Sequence, residues 1–165
     1  MKLRKAEIED VELILEMYED GSKSLAKANI NQWQGKDKPG KDELLKVLDE
    51  IYVLDDNEAV STARIIEYDN QYDKIYNGNW INNSNNYYAI HRVATLASKT
   101  RKGYARKMLL EIEELAKKNK KKSIKIDTHC ENTKMQNFLK SLDYEKCGII
   151  ILNNGDKRDA FEKII

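Results

Sequence analysis

Apolar and polar positions alternate over Lys2 to Lys5. Val11, Ile14, Leu15 and Tyr18 then recur at helical spacing, with Glu9 and Asp10 in the first turn, where the helix dipole favours acids. The chain therefore opens with a strand and a helix. "NQWQGKDKPGK" holds two glycines and the only proline and breaks the pattern, after which Leu44, Leu45, Leu48 and Ile51 resume a helical period. In "IYVLDDNEAVSTARIIEY" two β-rich runs flank Asp55-Asp56-Asn57-Glu58, the composition of a hairpin turn. Asp69 to Asn86, rich in Asn, Tyr and Asp, keeps no period and reads as a long surface loop or short helix.

"YYAIHRVAT" predicts a strand, Lys99 to Lys118 a loop and long amphipathic helix, and "SIKIDTH" a second strand. Two strands joined by a helix make a β-α-β unit with parallel strands and a right-handed crossover. In the helix Tyr104, Met108, Leu109, Ile112, Leu115 and Ala116 form one stripe, and Glu113/Lys117 and Glu114/Lys118 are i,i+4 pairs expected on the solvent side. A shorter helix over Asn132 to Leu142, the strand "KCGIIIL", a turn at Asn153-Asn154-Gly155-Asp156 and a strand over Asp159 to Ile164 complete the order β-α-α-β-β-β-α-β-α-β-β.

The 165 residues suit one domain with a real apolar core. Lysine and arginine total 29 against 28 acids, a net charge of +1, so no global field draws nucleic acid or an anionic membrane. The run "KKNKKKSIK" reads as a solvated, dipole-compensating helix end. Apolar stretches fall far short of the roughly 20 residues of a membrane span, and "MKLRKAEIED" lacks a signal peptide's apolar segment, so a soluble, cytoplasmic chain is expected. Cys130 and Cys147 form neither a CxxC pair nor a disulfide framework, and no four-ligand metal spacing is visible, so no metal is expected.

The helix entrance "TRKGYAR" carries the clearest chemistry. Unpaired N–H groups at a helix start, a glycine that lets an anion approach the main chain, and the charges of Arg101, Lys102 and Arg106 together suit a phosphate or pyrophosphate. The plainer alternative is a turn glycine among solvated cations.

"IHRVAT" ending a strand, "TRKGYA" opening a helix, "IKIDTHCEN" ending the next strand and "NTKMQNFLKSLDYEKCGIIIL" closing the unit resemble the GNAT superfamily of acetyl-coenzyme-A-dependent N-acetyltransferases. The resemblance covers nearly the whole chain and is strongest from Tyr88 to Leu152. It implies an α/β, three-layer domain whose mixed central sheet is splayed between two parallel strands, with helices on both faces. In the family pattern Gln/Arg-x-x-Gly-x-Gly/Ala, Gly103 and Ala105 match and Thr100 replaces the first residue. The resemblance assigns Thr100, Arg101, Lys102, Gly103, Tyr104, Ala105 and Arg106 to the coenzyme pyrophosphate. It assigns Val93, Ala94 and Thr95 to backbone pairing with the pantetheine arm, as an added strand, and has Asn132 facing the coenzyme. Leu139 stands where the family commonly has a general-acid tyrosine, and Tyr144 is read as packing in place of the usual phenylalanine.

Acetyl transfer to an amine needs a proton acceptor, because a lysine-like amine has an ordinary pKa of about 10.4. Alternation along "SIKIDTH" puts Asp127 and His129 on one face at the strand's carboxyl end, and either is a candidate acid or base, with His91 the third; local hydrogen bonding is the alternative for each. Trp33, Tyr76 and Trp80 are candidates to wall an acceptor pocket or, more simply, to pack, and Asp69 or Asp73 to attract a cationic amine. The implied partners are acetyl-CoA and a small-molecule or peptide amine. An exposed C-terminal strand would allow a homodimer, and Leu139 leaves open an acyl-CoA-binding sensor or interaction module without efficient catalysis.

Overall fold

The computed structural model describes all 165 residues, Met1–Ile165. The elements are β1 (Lys2–Lys5), α1 (Val11–Lys27), α2 (Lys41–Lys46), β2 (Ile51–Asp55), β3 (Ala59–Ile66), β4 (Tyr87–Thr95), α3 (Tyr104–Lys118), β5 (Ser123–Thr128), α4 (Thr133–Lys140), β6 (Glu145–Ile151) and β7 (Lys157–Ile164), with short 3-10 turns between some of them. Their order is the one the apolar pattern predicts. The seven strands follow the order β1-β2-β3-β4-β5-β7-β6. β4 and β5 form the parallel pair, with a register from Tyr87↔Ser123 to Ile90↔Ile126, although β4 runs on to Thr95. The fold is thus mixed α/β.

Two compact units divide the chain. The first comprises Met1–Ile65 and Arg92–Ile112. β1, β2 and β3 pair antiparallel there, and Ile14, Met17 and Tyr18 of α1 pack with Leu44, Ile51, Val53, Ala94 and Leu96. Trp33 packs beside this core, edge-on to Tyr18 at 5.5 Å, with its carbonyl accepting from the Ser22 hydroxyl at 2.7 Å. The second helix is shorter than the sequence period suggests: a 3-10 turn, Leu48–Glu50, follows Val47, and Ile51 begins β2 opposite Arg64.

The second unit comprises Ile66–His91 and Glu113–Ile165. Its core gathers Tyr72, Trp80, Tyr87, Ala89, Ile150 and Ala160. The Asn-rich segment is a 3-10 turn, Asn70–Tyr72, followed by irregular chain whose aromatics anchor it: the Trp80 indole N–H donates to the Tyr72 carbonyl at 2.8 Å. Trp80 therefore packs rather than facing solvent.

Two expectations change here. The C-terminal strand is not an edge, because β7 pairs with both β5 and β6; the outer strand is β6, and Tyr76 bridges its Ile149 through two 2.8 Å backbone hydrogen bonds. Glu113 does not face solvent toward Lys117 but is buried, 2.9 Å from Lys163 of β7, while Lys117 pairs with Glu114 at 2.7 Å.

Candidate active site

In the first unit the end of β4 is tied down along one side, by β3. The Ala94 carbonyl accepts from the Ser61 hydroxyl at 2.9 Å, Thr95 Oγ1 lies 2.9 Å from the same hydroxyl, and the Leu96 N–H donates to the Val60 carbonyl at 3.2 Å. Val93 and Thr95 are half-buried. A 3-10 turn, Ala97–Lys99, carries the chain to Thr100, whose hydroxyl donates to the Ala97 carbonyl at 2.9 Å.

Arg101 and Gly103 then both take left-handed backbone, at φ 62° and 80°, on either side of Lys102. Such alternation directs successive N–H groups toward one side, the arrangement of an anion-binding nest. α3 starts directly after it, and the Lys107 N–H donates to the Gly103 carbonyl at 2.9 Å. A Cβ built on Gly103 would meet nothing within 4 Å. The backbone there is open to an approaching group, as a pyrophosphate requires. The entrance is anchored by the Tyr104 hydroxyl, which donates to Asp56 at 2.6 Å, and by Lys99, 2.9 Å from Glu58. Arg101, Lys102 and Arg106 are exposed.

In the second unit His91 and Asp127 come together with residues that no local pattern links to them. His91 Nε2 is 2.8 Å from Asp69 Oδ2, and its Nδ1 faces Asp127 Oδ2 at 3.8 Å. The Tyr72 hydroxyl donates to Asp127 Oδ2 at 2.5 Å, and Arg158 Nε lies 3.8 Å from Asp127 Oδ1. Asp69 is itself held: its carboxylate accepts the Gln71 N–H at 2.9 Å, and the Tyr87 hydroxyl accepts from its N–H and donates to its carbonyl, both at 3.1 Å.

Burial works against ionising Asp69, but the hydrogen bonds from His91 and the Gln71 N–H outweigh it and hold the carboxyl below its ordinary value. Burial, and then the Asp127 charge, push the Tyr72 phenol well above its ordinary value, so it remains a donor. The His91 side chain retains 20% of its exposure while the two carboxylates keep 7% and 9%. The imidazole is the reachable member of the cluster.

His129 has a different setting. β5 ends at Thr128, so strand alternation no longer fixes the His129 side chain, whose Nδ1 accepts the Glu131 N–H at 3.1 Å. Asn132 is the N-cap of α4, its side-chain oxygen accepting the Met135 N–H at 3.1 Å. Leu139 is fully buried, and Tyr144 is buried at 2% exposure and packs as an aromatic. Tyr72 and Arg158 had no signal in the sequence; they lie 55 and 31 positions from Asp127, beyond any helix or strand period.

The fold has counterparts among solved structures. The chain is similar to an acetyltransferase of the GNAT family from Streptococcus agalactiae, at 27% identity over 99% of this chain and 95% of that one, with a TM-score of 0.89. It shares its fold with the ribosomal-protein-alanine N-acetyltransferase of Brucella melitensis, at 15% identity, full coverage of both chains and a TM-score of 0.72. It likewise shares the fold of the PaiA N-acetyltransferase of Thermoplasma acidophilum, solved in complex with coenzyme A, at 18% identity over 99% and 98% of the two chains and a TM-score of 0.68. No curated protein sequence is significantly similar. The model of the acetyltransferase (GNAT) family matches residues 12–144, most of the chain, and the chain therefore belongs to that family.

Proposed function

We propose that this protein transfers the acetyl group of acetyl-coenzyme A to a primary amine by direct attack in a ternary complex. The observation that carries the reading is the pair of left-handed residues, Arg101 and Gly103, at the entrance of the fifteen-residue α3, with open space over Gly103. Backbone N–H groups, the positive end of the helix and the Arg101 and Lys102 charges would hold the pyrophosphate there. Val93 to Thr95 would receive the pantetheine arm through backbone hydrogen bonds. The coenzyme A complex of the Thermoplasma relative supports this choice of donor.

In the reaction the amine nitrogen forms a C–N bond to the thioester carbonyl carbon as the C–S bond breaks. The amine gives up a proton, and the departing thiolate takes one. His91 is the group we assign as proton acceptor, with Asp127 stabilising the positive charge that develops beside it. Because Leu139 replaces the family's usual acid, the thiolate's proton would come from solvent.

Acceptor-dependent release of free coenzyme thiol across a panel of small and peptide amines tests the reading. Release by the wild type, with roughly 10²-fold loss in His91→Ala, is the expected result. The buried Leu139 favours one second reading, an acyl-CoA-binding sensor. Donor binding without release for any amine would support that reading instead.

A further inference from the structure

We infer that Asp69 is the positioning residue for His91, fixing the imidazole so that Nε2 carries the proton and Nδ1 offers its lone pair to the acceptor amine. The inference rests on the proposed role of His91 as proton acceptor and assigns to Asp69 what makes that role possible.

An ionised carboxylate can only accept hydrogen bonds. At 2.8 Å from Asp69 Oδ2, His91 Nε2 must therefore be the donor. In a neutral ring that leaves Nδ1 unprotonated. Nδ1 lies 3.8 Å from Asp127 Oδ2, too far for a hydrogen bond, so neither acceptor satisfies the other. An N–H donor beside the pair would serve both, and a primary amine is such a donor. The proton leaving the amine would go to Nδ1, while Asp69 keeps its own charge and accepts no proton.

The surroundings of His91 hold the arrangement. Asp69 is fixed through the Tyr87 hydroxyl and the Gln71 N–H, the Tyr72 ring lies 5.7 Å from the imidazole, the Tyr72 hydroxyl holds the Asp127 oxygen that faces Nδ1, and Arg158 Nε lies 3.8 Å from the other oxygen. Asp69, Asp127 and Tyr72 are titratable groups beside the ring, and Tyr87 and Arg158 reach it through Asp69 and Asp127. Asp69 and Tyr72 both come from the turn that opens the Asn-rich segment, which gives that segment a function beyond covering the core.

The chain has two histidines, so nitrogen NMR of the protein resolves the His91 ring once a His129→Gln variant has assigned the other. The wild type is expected to carry the Nε2–H tautomer. Asp69→Asn should lose that preference, because an amide can donate as well as accept. With an accepted amine, Asp69→Asn should lower kcat at least about tenfold with KM changed less than about threefold, and Asp69→Glu should recover part of the rate.

An Nδ1–H tautomer in the wild type would overturn the inference, as would an Asp69→Asn variant with unchanged tautomer and kcat. If no amine is acetylated, the proposed function fails while the tautomer still decides the role of Asp69. If the wild type is active and Asp69→Asn keeps its rate, the inference fails and the function stands.

Discussion

Gly103 adopts φ 80°, a conformation in which a side chain strains the backbone although open space surrounds the position. Gly103→Ala should therefore cost about 1 kcal/mol, read as a lower urea midpoint with an unchanged slope; an unchanged midpoint would mean the loop relaxes to φ below zero. Lys125 makes the opposite kind of prediction. Its ammonium is buried between Trp80 and Tyr87, 4.4 and 4.3 Å from the ring centroids, and donates to the Asn82 carbonyl at 3.0 Å. Burial lowers its pKa below the ordinary 10.5, against the pull of Glu162. The folded chain releases that proton before the unfolded chain does, so between the two pKa values unfolding takes up a proton and the contribution of Lys125 to stability rises with pH. Urea unfolding of wild type and Lys125→Met from pH 8 toward 10.5 should show their difference moving in favour of the wild type. Gly103 was legible as a helix-entrance glycine. Lys125 was not, because a lysine in "SIKIDTH" reads as the polar face of a strand until tertiary packing supplies two aromatic rings.

At the scale of elements, the entry to α1 is fixed by Asp10. Arg4 of β1 grips its carboxylate with two nitrogens at 2.6 and 2.9 Å and reaches Asp55 of β2 at 2.7 Å, while the Glu7 N–H donates to Asp10 at 2.8 Å. One residue thus joins a helix start to two paired strands. Asp10→Ala should destabilise the protein by about 2 kcal/mol, because it leaves a half-buried guanidinium short of a partner. The Arg4 hydrogen bonds hold the Asp10 carboxyl below its ordinary 3.8 despite burial. Its contribution is therefore present above that value and lost as pH falls through the folded one, and thermal melts of wild type and variant should converge in acid. Helices such as α1 and α3 were readable because each buries one face and so imprints a period on the sequence. Element ends were less readable. β5 stops before His129 and α2 before Leu48, where local backbone and strand pairing override the apolar repeat.

For the whole molecule, the order of elements followed from apolar period and turn chemistry, and the glycine loop from one short motif. The cluster around His91 did not, since Asp69, His91, Tyr72 and Asp127 are joined across separations of 22 and 55 residues. Glu113 was misread for the same reason, its partner Lys163 lying 50 residues away. Contacts of that range leave no local periodicity to read. The first measurement is calorimetric titration of the purified protein with acetyl-coenzyme A, beside a Gly103→Glu variant shown to be folded by circular dichroism. Saturable binding by the wild type, abolished in the variant by bulk and negative charge over the proposed pyrophosphate seat, is the predicted result. Absence of binding by the folded wild type, or undiminished binding by the variant, would contradict it.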